Sequence, residues 1–260
     1  MDMLEIMQTL NACHGPSGDE GEVAEAIRKL AAPYVDEIST DALGSLICHK
    51  KGSGPRIMFA AHMDSIGCIV THIDKNGYLR FGQIGGLSPH DLPGTPVRFK
   101  NGVRGVIAVQ GKVEPKEWKL EHLYIDVGAK DEADAHAMVQ VGDTAVFDTA
   151  PFVTGRKLFS PYLDDRIACA ILLSSLERIK KSDNDLYFVF TVQEEVGLRG
   201  ARTAAYGIDP DYGIAVDVTD SDDIPDAPHE CSSAAGKGAA IKVMDSSVIC
   251  HPAVVKKLEE

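Results

Sequence analysis

The segment at residues 186–200, LYFVFTVQEEVGLRG, decides the fold predicted for this 260-residue chain. Its apolar run, residues 187–192, is rich in aromatic and β-branched side chains, which is typical of a buried central strand. The run ends at Gln193, and Glu194 and Glu195 follow at once. These two carboxylates therefore lie at the carboxyl end of a predicted strand, where open α/β sheets bind their ligands.

The same arrangement follows two other predicted strands, and this changes the interpretation of the Glu-Glu pair. Taken alone, such a pair is more typical of a solvated acidic loop. However, residues 56–61 (RIMFAA) lead directly into His62 and Asp64, and residues 212–216 (YGIAV) lead into Asp217. If these strands are parallel neighbours, their polar ends lie along one edge of the sheet.

Two more acids, Asp164 and Asp165, open a strongly helical pattern at residues 164–181. Acidic residues at a helix N-terminus complement the helix dipole, so the pair alone has a structural explanation. Combined with His62 and the strand-end carboxylates, however, the set has the ligand chemistry of a zinc, cobalt or manganese site, and shared carboxylates favour two metals. The sequence therefore predicts a metal site.

Composition argues against several classes of function. The net charge of −13 argues against nucleic acid and anionic membrane surfaces as partners. The six cysteines are scattered, without a Cys-x-x-Cys motif, as in reduced cytosolic proteins. The N-terminus lacks the basic region of a signal peptide, and no apolar segment approaches membrane-spanning length. We therefore expect a soluble, cytoplasmic protein.

The middle of the chain has a different sequence pattern from its two ends. Residues 68–154 contain short alternating runs separated by glycine-containing turns, which is typical of a small β-barrel or sandwich. We interpret residues 67–155 as a β domain inserted into a discontinuous catalytic domain at residues 1–66 and 156–260. A last strand of that domain is expected at residues 240–244.

Four motifs, in chain order, resemble a known family. They are AHMDSIG (residues 61–67), LDDR (163–166), VQEEVGLRGA (192–201) and AVDVT (215–219). With GPSG at residues 15–18, they resemble the cytosolic tetrahedral aminopeptidases, whose members are named glutamyl, leucyl or deblocking aminopeptidases and, in some cases, cellulase M or endoglucanase. The resemblance covers nearly the whole chain. It implies an α/β fold with a phosphorylase/hydrolase-like mixed sheet, an inserted PDZ-like β-barrel, a dinuclear zinc or cobalt centre and a dodecameric shell.

The resemblance also implies the ligands of both metal ions. His62, Asp164 and Asp217 would hold one ion, and Asp164 would bridge to a second ion that Glu195 also binds. The peptide bond between Asp164 and Asp165 is expected to be cis in such a centre.

Two catalytic residues follow from the same resemblance. Glu194 would be the general base that takes a proton from the attacking water, and Asp64 would orient the His62 ring through a hydrogen bond. The reaction implied is the metal-dependent removal of N-terminal residues from short peptides by a homo-oligomer.

The chain departs from the family pattern at three places. Ser65 stands where the family commonly has Glu, and Asp165 stands where it commonly has Asn. The chain also looks C-terminally short and lacks a late His ligand of the second ion. His229 and His251 match other family positions, so neither is expected to replace that ligand. We therefore expect a weak second metal site and little peptidase activity.

Two other functions are left open by the sequence. A glycosidase, which some family names suggest, needs only two suitably spaced carboxylates and no metal. That interpretation leaves His62, Asp64, Asp164 and Asp217 unexplained. A catalytically impaired shell-forming or binding protein is the second alternative, because one of the two metal sites is incomplete.

Overall fold

The computed structural model describes residues 1–221, 224–226 and 233–260 of the chain. His229, which is not expected to replace the missing His ligand, lies outside the described residues. The chain divides into two compact units, Met1–Asp217 and Val218–Glu260, which are described separately.

The first unit contains both helices and strands, and strands dominate its middle. The α-helices of the described residues are α1 (Met3–Ala12), α2 (Gly21–Ala31), α3 (Glu132–Met138), α4 (Leu163–Arg178), α5 (Arg199–Ile208) and α6 (Pro252–Glu259). The strands are β1 (Glu37–Thr40), β2 (Leu46–Lys50), β3 (Arg56–His62), β4 (Gly67–Ile73), β5 (Leu79–Ile84), β6 (Pro96–Phe99), β7 (Arg104–Val109), β8 (Leu123–Asp126), β9 (Thr144–Phe147), β10 (Phe152–Thr154), β11 (Lys157–Phe159), β12 (Asp185–Thr191) and β13 (Tyr212–Ala215).

A five-stranded mixed sheet with the order β1-β2-β12-β3-β13 forms the centre of the first unit. β12 pairs in parallel with β3, and β3 pairs in parallel with β13, whereas β1, β2 and β12 pair in antiparallel fashion. Thr191, at the end of β12, lies opposite His62, at the end of β3. The expectation that the strands preceding the His-x-Asp, Glu-Glu and Asp217 motifs are parallel neighbours is confirmed.

β12 illustrates why this sequence forms a central strand. Leu186, Phe188 and Phe190 point to one face and pack into a core with residues of α1, α2 and α4. Val189 points to the opposite face, where it packs with Ile208 of α5. Side chains alternate between the two faces of a strand, so a continuous apolar run is needed when helices cover both faces. Each buried Leu or Phe of this kind contributes about 1.5–3 kcal/mol to stability.

The six strands β4 to β9 form a closed barrel with the order β4-β5-β8-β7-β6-β9. The barrel has its own apolar core, which includes Val97, Phe99, Ile107 and Ile125. The prediction of a small β-barrel in the middle of an α/β chain is confirmed. Between the barrel and α4, the strands β10 and β11 form a two-stranded hairpin.

α4 begins with an irregular turn that carries the two acids of the LDDR motif. Asp164 and Asp165 have non-helical backbone angles within the helix bounds, and the peptide bond between them is cis. The remainder of α4 packs its apolar side chains against the central sheet. The helix predicted at residues 164–181 is therefore confirmed, and it ends at Arg178.

The second unit corrects one prediction. Residues 240–244 do not form a strand; in the described part of this unit Met244 makes an isolated bridge with Ile249. A strand needs a continuous partner for its backbone N–H and C=O groups, and a single bridge does not provide one. α6 begins after His251, whose Nδ1 accepts a hydrogen bond from the N–H of Ala253 at 3.3 Å. Across the described residues, no helix combines the length and apolar character needed to cross a membrane.

Candidate metal centre

The chemistry-bearing residues of the first unit lie where three parallel strands end. His62 is the last residue of β3, Glu194 and Glu195 follow β12, and Asp217 follows β13. Asp164 comes from the irregular first turn of α4. The three strands therefore position polar groups that lie far apart in the sequence at one edge of the sheet.

One group of possible ligands combines an imidazole with two carboxylates. Ligand atoms of His62, Asp164 and Glu195 lie within 4.8 Å of one another. His62 Nε2 is 2.8 Å from Asp164 Oδ1, and it is 3.9 Å from Oε2 of Glu194. The His62 side chain is 3% exposed, whereas that of Asp164 is 57% exposed. The group therefore combines a buried nitrogen ligand with an accessible oxygen ligand.

A second group shares the same histidine and includes Asp165, which the sequence does not predict as a ligand. Ligand atoms of His62, Asp165 and Asp217 also lie within 4.8 Å of one another. Asp165 is fully buried, and its Oδ2 accepts a hydrogen bond from the backbone N–H of His62 at 3.1 Å. The group that contains Asp217 thus includes Asp165, the second acid of the LDDR motif, where the family resemblance named Asp164. Only the adjacency of the two acids could have indicated Asp165 from the sequence.

Asp64 connects the histidine to the Glu-Glu turn. His62 Nδ1 lies 3.1 Å from the backbone oxygen of Asp64 and 3.4 Å from its Oδ1. The carboxylate accepts hydrogen bonds from the N–H groups of Glu194 at 3.0 Å and Glu195 at 3.2 Å, and from Ser17 Oγ at 2.6 Å. Asp64 therefore contacts the His62 ring and also fixes the backbone that carries both glutamates.

The chain turns sharply after the Glu-Glu pair. Gly197 has a φ of +127°, which favours glycine, and its N–H donates to the carbonyl oxygen of Glu194 at 2.9 Å. Gly200, at the start of α5, lies so close to β12 that a Cβ there would be 2.5 Å from the oxygen of Val192. These two glycines allow Glu194 and Glu195 to lie in one turn beside the sheet edge.

The clustered carboxylates shift one another's proton affinities. Burial opposes protonation of His62, but hydrogen bonds with Asp164 and Asp64 raise its pKa to about 11. Burial, together with the charge of Asp164, raises the pKa of Glu195 to about 7. Burial and the charge of Asp217 raise the pKa of Asp165 to about 9. So many acids in a small, partly buried volume favour a bound cation.

The donor set fits a divalent transition metal. It combines one imidazole nitrogen with several carboxylate oxygens, which are the ligands used by zinc-type centres. Oδ1 of Asp165 is buried and has no hydrogen-bond partner among the described residues, so an acceptor lone pair remains available there. Imidazole binds a metal only in its deprotonated form, so binding at His62 would release a proton.

Arg166 is a buried residue of the LDDR motif to which sequence analysis gave no role. Its guanidinium is fully buried and stacks on the Tyr162 ring, with 4.8 Å between the guanidinium carbon and the ring centroid. Nη1 donates to the backbone oxygen of Leu10 at 2.6 Å, and Nη2 donates to that of Gly15 at 3.4 Å. Arg166 thus ties α4 to the end of α1 and to the GPSG segment.

Comparison with known proteins gives a consistent result. A family profile described as M42 glutamyl aminopeptidase matches residues 44–260. Over 260 aligned residues, the chain is 49% identical to a protein of Acetivibrio thermocellus named "Putative aminopeptidase". The alignment covers 100% of this chain and 78% of that protein.

Two solved structures extend the comparison to the fold. Aminopeptidase APDkam598 from the archaeon Desulfurococcus kamchatkensis superposes with a TM-score of 0.94 at 38% identity, covering 99% of this chain and 75% of that one. A TET1 peptidase of Pyrococcus horikoshii superposes with a TM-score of 0.89 at 30% identity, covering 99% of this chain and 80% of that one. That peptidase is described as able to assemble into a tetrahedron or a large octahedral shell. The chain therefore belongs to the M42 glutamyl aminopeptidase family and is a hydrolase that acts on peptide bonds.

Proposed function

We propose that this protein is a metal-dependent aminopeptidase that removes N-terminal residues from short peptides. The observation that carries the proposal is the pair of ligand groups that share His62 at the edge of the sheet. Glu194 lies beside them, with Oε2 3.9 Å from His62 Nε2. A glycosidase would need only two carboxylates, and it would leave the buried His62 and its hydrogen bonds without a role.

The ligands follow from the donor set and from the family. His62, Asp164 and Asp217 would hold one ion, and Asp164 with Glu195 would hold the second. Asp165 is an additional candidate because it lies in the group with His62 and Asp217. When bound, zinc or cobalt would polarise the scissile carbonyl and lower the pKa of the attacking water.

Glu194 is the residue that we assign as general base. Its backbone N–H is held by Asp64 at 3.0 Å, which restricts where the carboxylate can lie. The side chain is 29% exposed, so it is accessible to water and to substrate while its backbone is fixed. A base must lie within hydrogen-bond reach of the proton that it removes, and the position of Glu194 beside the ligand groups supports this assignment.

Three finer features belong to the same proposal. The second ion is bound weakly by the 260-residue chain, because both ligand groups depend on the single imidazole of His62. That weakness would limit peptidase activity. The protein is also a homo-oligomer, a dodecamer in the family pattern, and the assembly described for the Pyrococcus horikoshii peptidase supports this.

The domain organisation is part of the proposal as well. We infer that a phosphorylase/hydrolase-like catalytic domain comprises residues 1–66 and 156–260, and that residues 67–155 are a PDZ-like insertion. The separate apolar core of the barrel supports this division. The antiparallel pairing of β4 to β9 with one another supports it too.

A peptide-release experiment tests the proposed activity. Purified protein, loaded with cobalt or zinc, is incubated with short peptides, and free amino acids are measured by mass spectrometry. We expect sequential release from the N-terminus, loss of release after chelation, and recovery when metal is returned. Head-to-tail cyclic peptides, which have no N-terminus, are the matched control and should be resistant. Cleavage of soluble glucans without peptide hydrolysis, or peptide hydrolysis that chelators leave unchanged, would contradict the proposal.

A further inference from the structure

The loop between α1 and α2 contacts the turn that carries Glu194 and Glu195. Glu20 closes this loop at the start of α2 and is 8% exposed. Its Oε1 accepts two backbone hydrogen bonds, from Gly18 N–H at 2.7 Å and from Gln193 N–H at 3.2 Å. One carboxylate oxygen thus joins the N-terminal loop to the residue that precedes the Glu-Glu pair.

Gln193 has an unusual backbone conformation, and its N–H donates a hydrogen bond to Glu20. Its φ is +55°, in the left-handed region that residues with a Cβ adopt only rarely. The left-handed residue lies between the end of β12 and Glu194, so it sets the direction in which the chain leaves the strand. A backbone N–H in a half-buried turn also requires an acceptor, and Glu20 supplies it.

We propose that Glu20 is a positioning residue for the metal centre. By accepting the N–H of Gln193, it holds the left-handed turn and, together with Asp64, positions Glu194 and Glu195 relative to His62. This inference rests on the proposed function, in which Glu194 is the base and Glu195 a ligand. Groups that orient ligands without touching the metal commonly affect metal affinity and activity strongly.

The same loop fixes the other half of the centre by separate contacts. Ser17 Oγ donates to Asp64 Oδ2 at 2.6 Å, and the Ser17 N–H donates to the backbone oxygen of Ser65 at 3.2 Å. The loop thus contacts the segment that carries Asp64 through Ser17, and it contacts the Glu-Glu turn through Glu20. What Glu20 supplies is an oxygen acceptor at hydrogen-bond distance from two backbone N–H groups. Burial, together with the charge of nearby Asp64, raises the pKa of Glu20.

The test uses two variants of Glu20 and a matched control. Glu20→Ala removes the acceptor, whereas Glu20→Gln keeps an oxygen acceptor at the same distance without the charge. Glu25→Gln removes a carboxylate from the exposed face of α2, where Glu25 pairs only with Arg28 and Lys29 in the described structure. Cobalt(II) affinity is measured by titration calorimetry, and kcat and KM are measured on a short peptide.

We expect Glu20→Ala to weaken cobalt binding by about tenfold or more and to lower kcat by about 10–100-fold. KM should change by less than about threefold, because the substrate contacts are retained. Glu20→Gln should recover most of the wild-type affinity, and Glu25→Gln should match the wild type. Cobalt binding does not depend on turnover, so it still tests Glu20 if the wild-type protein proves inactive on peptides.

Two results would overturn the inference. One is a folded Glu20→Ala variant with wild-type cobalt affinity and kcat. The other is equal impairment of Glu20→Ala and Glu20→Gln, since the effect would then come from charge and not from the acceptor. If Glu20→Ala does not fold, Glu20→Asp replaces it: the charge is kept but the side chain is one methylene too short, and the same loss of affinity is expected.

Discussion

At the scale of single residues, a glycine of the barrel lies against a proposed metal ligand. A Cβ added to Gly85, which follows β5, would lie 3.1 Å from Oε2 of Glu195 and 2.6 Å from a methyl group of Ile66. Gly85 also has a φ of +71°, in the left-handed region that favours glycine. The neighbouring Gly86 has no atom within 4 Å of its added Cβ. The barrel therefore forms part of the wall around Glu195.

Gly85→Ala is expected to displace the Glu195 carboxylate and weaken cobalt binding by about tenfold or more. The left-handed backbone should add a loss of about 1–2 kcal/mol in the free energy of unfolding. Gly86→Ala is the matched control, with a change below about 0.5 kcal/mol and unchanged affinity. Calorimetric cobalt titration and urea unfolding measure both quantities. Equal effects of the two substitutions would show that the contact with Glu195 has no influence on the site.

The two adjacent glutamates should separate binding from chemistry. Glu194→Gln removes the proposed base, so kcat should fall by about 10²–10⁴-fold while cobalt affinity stays close to that of the wild type. Glu195→Gln should instead weaken cobalt binding, because a carboxylate ligand is lost. Steady-state kinetics and cobalt titration of both variants make the comparison. An active Glu194→Gln variant would remove this residue from the mechanism.

At the scale of elements, a buried histidine links the loop after α1 to the barrel. His14 is fully buried, and its Nε2 lies 2.8 Å from Oγ1 of Thr144 in β9. Burial lowers its pKa, and this effect outweighs the attraction of the neighbouring acids. The charged groups that face it are Asp19, Glu22, Arg98 and Lys100. The contact between loop and barrel is therefore adapted to a neutral imidazole.

His14 should make the stability of the first unit depend on pH. Its native pKa lies below the unfolded value of about 6.5, so the unfolded chain binds more protons as pH falls through that range, and stability is lost. Between pH 7.5 and 5.5, the wild type should lose about 1 kcal/mol more unfolding free energy than His14→Gln.

Urea unfolding at both pH values measures this difference. His136→Gln, at an exposed position of α3, is the control and should follow the wild type. If the His14→Gln and wild-type curves fall in parallel, His14 is not the group responsible.

At the scale of the whole molecule, the number of ions held per chain tests the dinuclear proposal. His62 is common to both ligand groups, and each group is completed by carboxylates alone. We expect the dialysed 260-residue chain to keep one cobalt ion and to bind a second with at least about tenfold lower affinity, because carboxylates hold a transition metal less firmly than a site with its own imidazole. Metal analysis after dialysis, followed by titration, measures both. Two equally tight ions per chain would mean that another ligand completes the second site.

The sequence alone determined the α/β class, the barrel in the middle of the chain and the edge of the sheet where the polar residues meet. These features depend on local patterns: the apolar run at residues 187–192, the alternating segments at 68–154, and a polar group that follows each of three predicted strands. Strand periodicity and glycine-bounded turns act over a few residues, so they can be interpreted without knowing what packs against them. The prediction of a strand at residues 240–244 was wrong, because an apolar segment forms a strand only where another segment pairs with its backbone.

Only the tertiary structure decided which distant residues surround the site. Asp165 meets the backbone of His62 across 103 residues, Glu20 meets Gln193, and Gly85 lies against Glu195. None of these contacts has a local sequence signal, since a side chain's hydrogen-bond partner depends on how helices and strands pack together. The types of side chain at the candidate metal centre were therefore predictable from sequence, whereas the residues that hold those side chains in position became identifiable only from the folded structure.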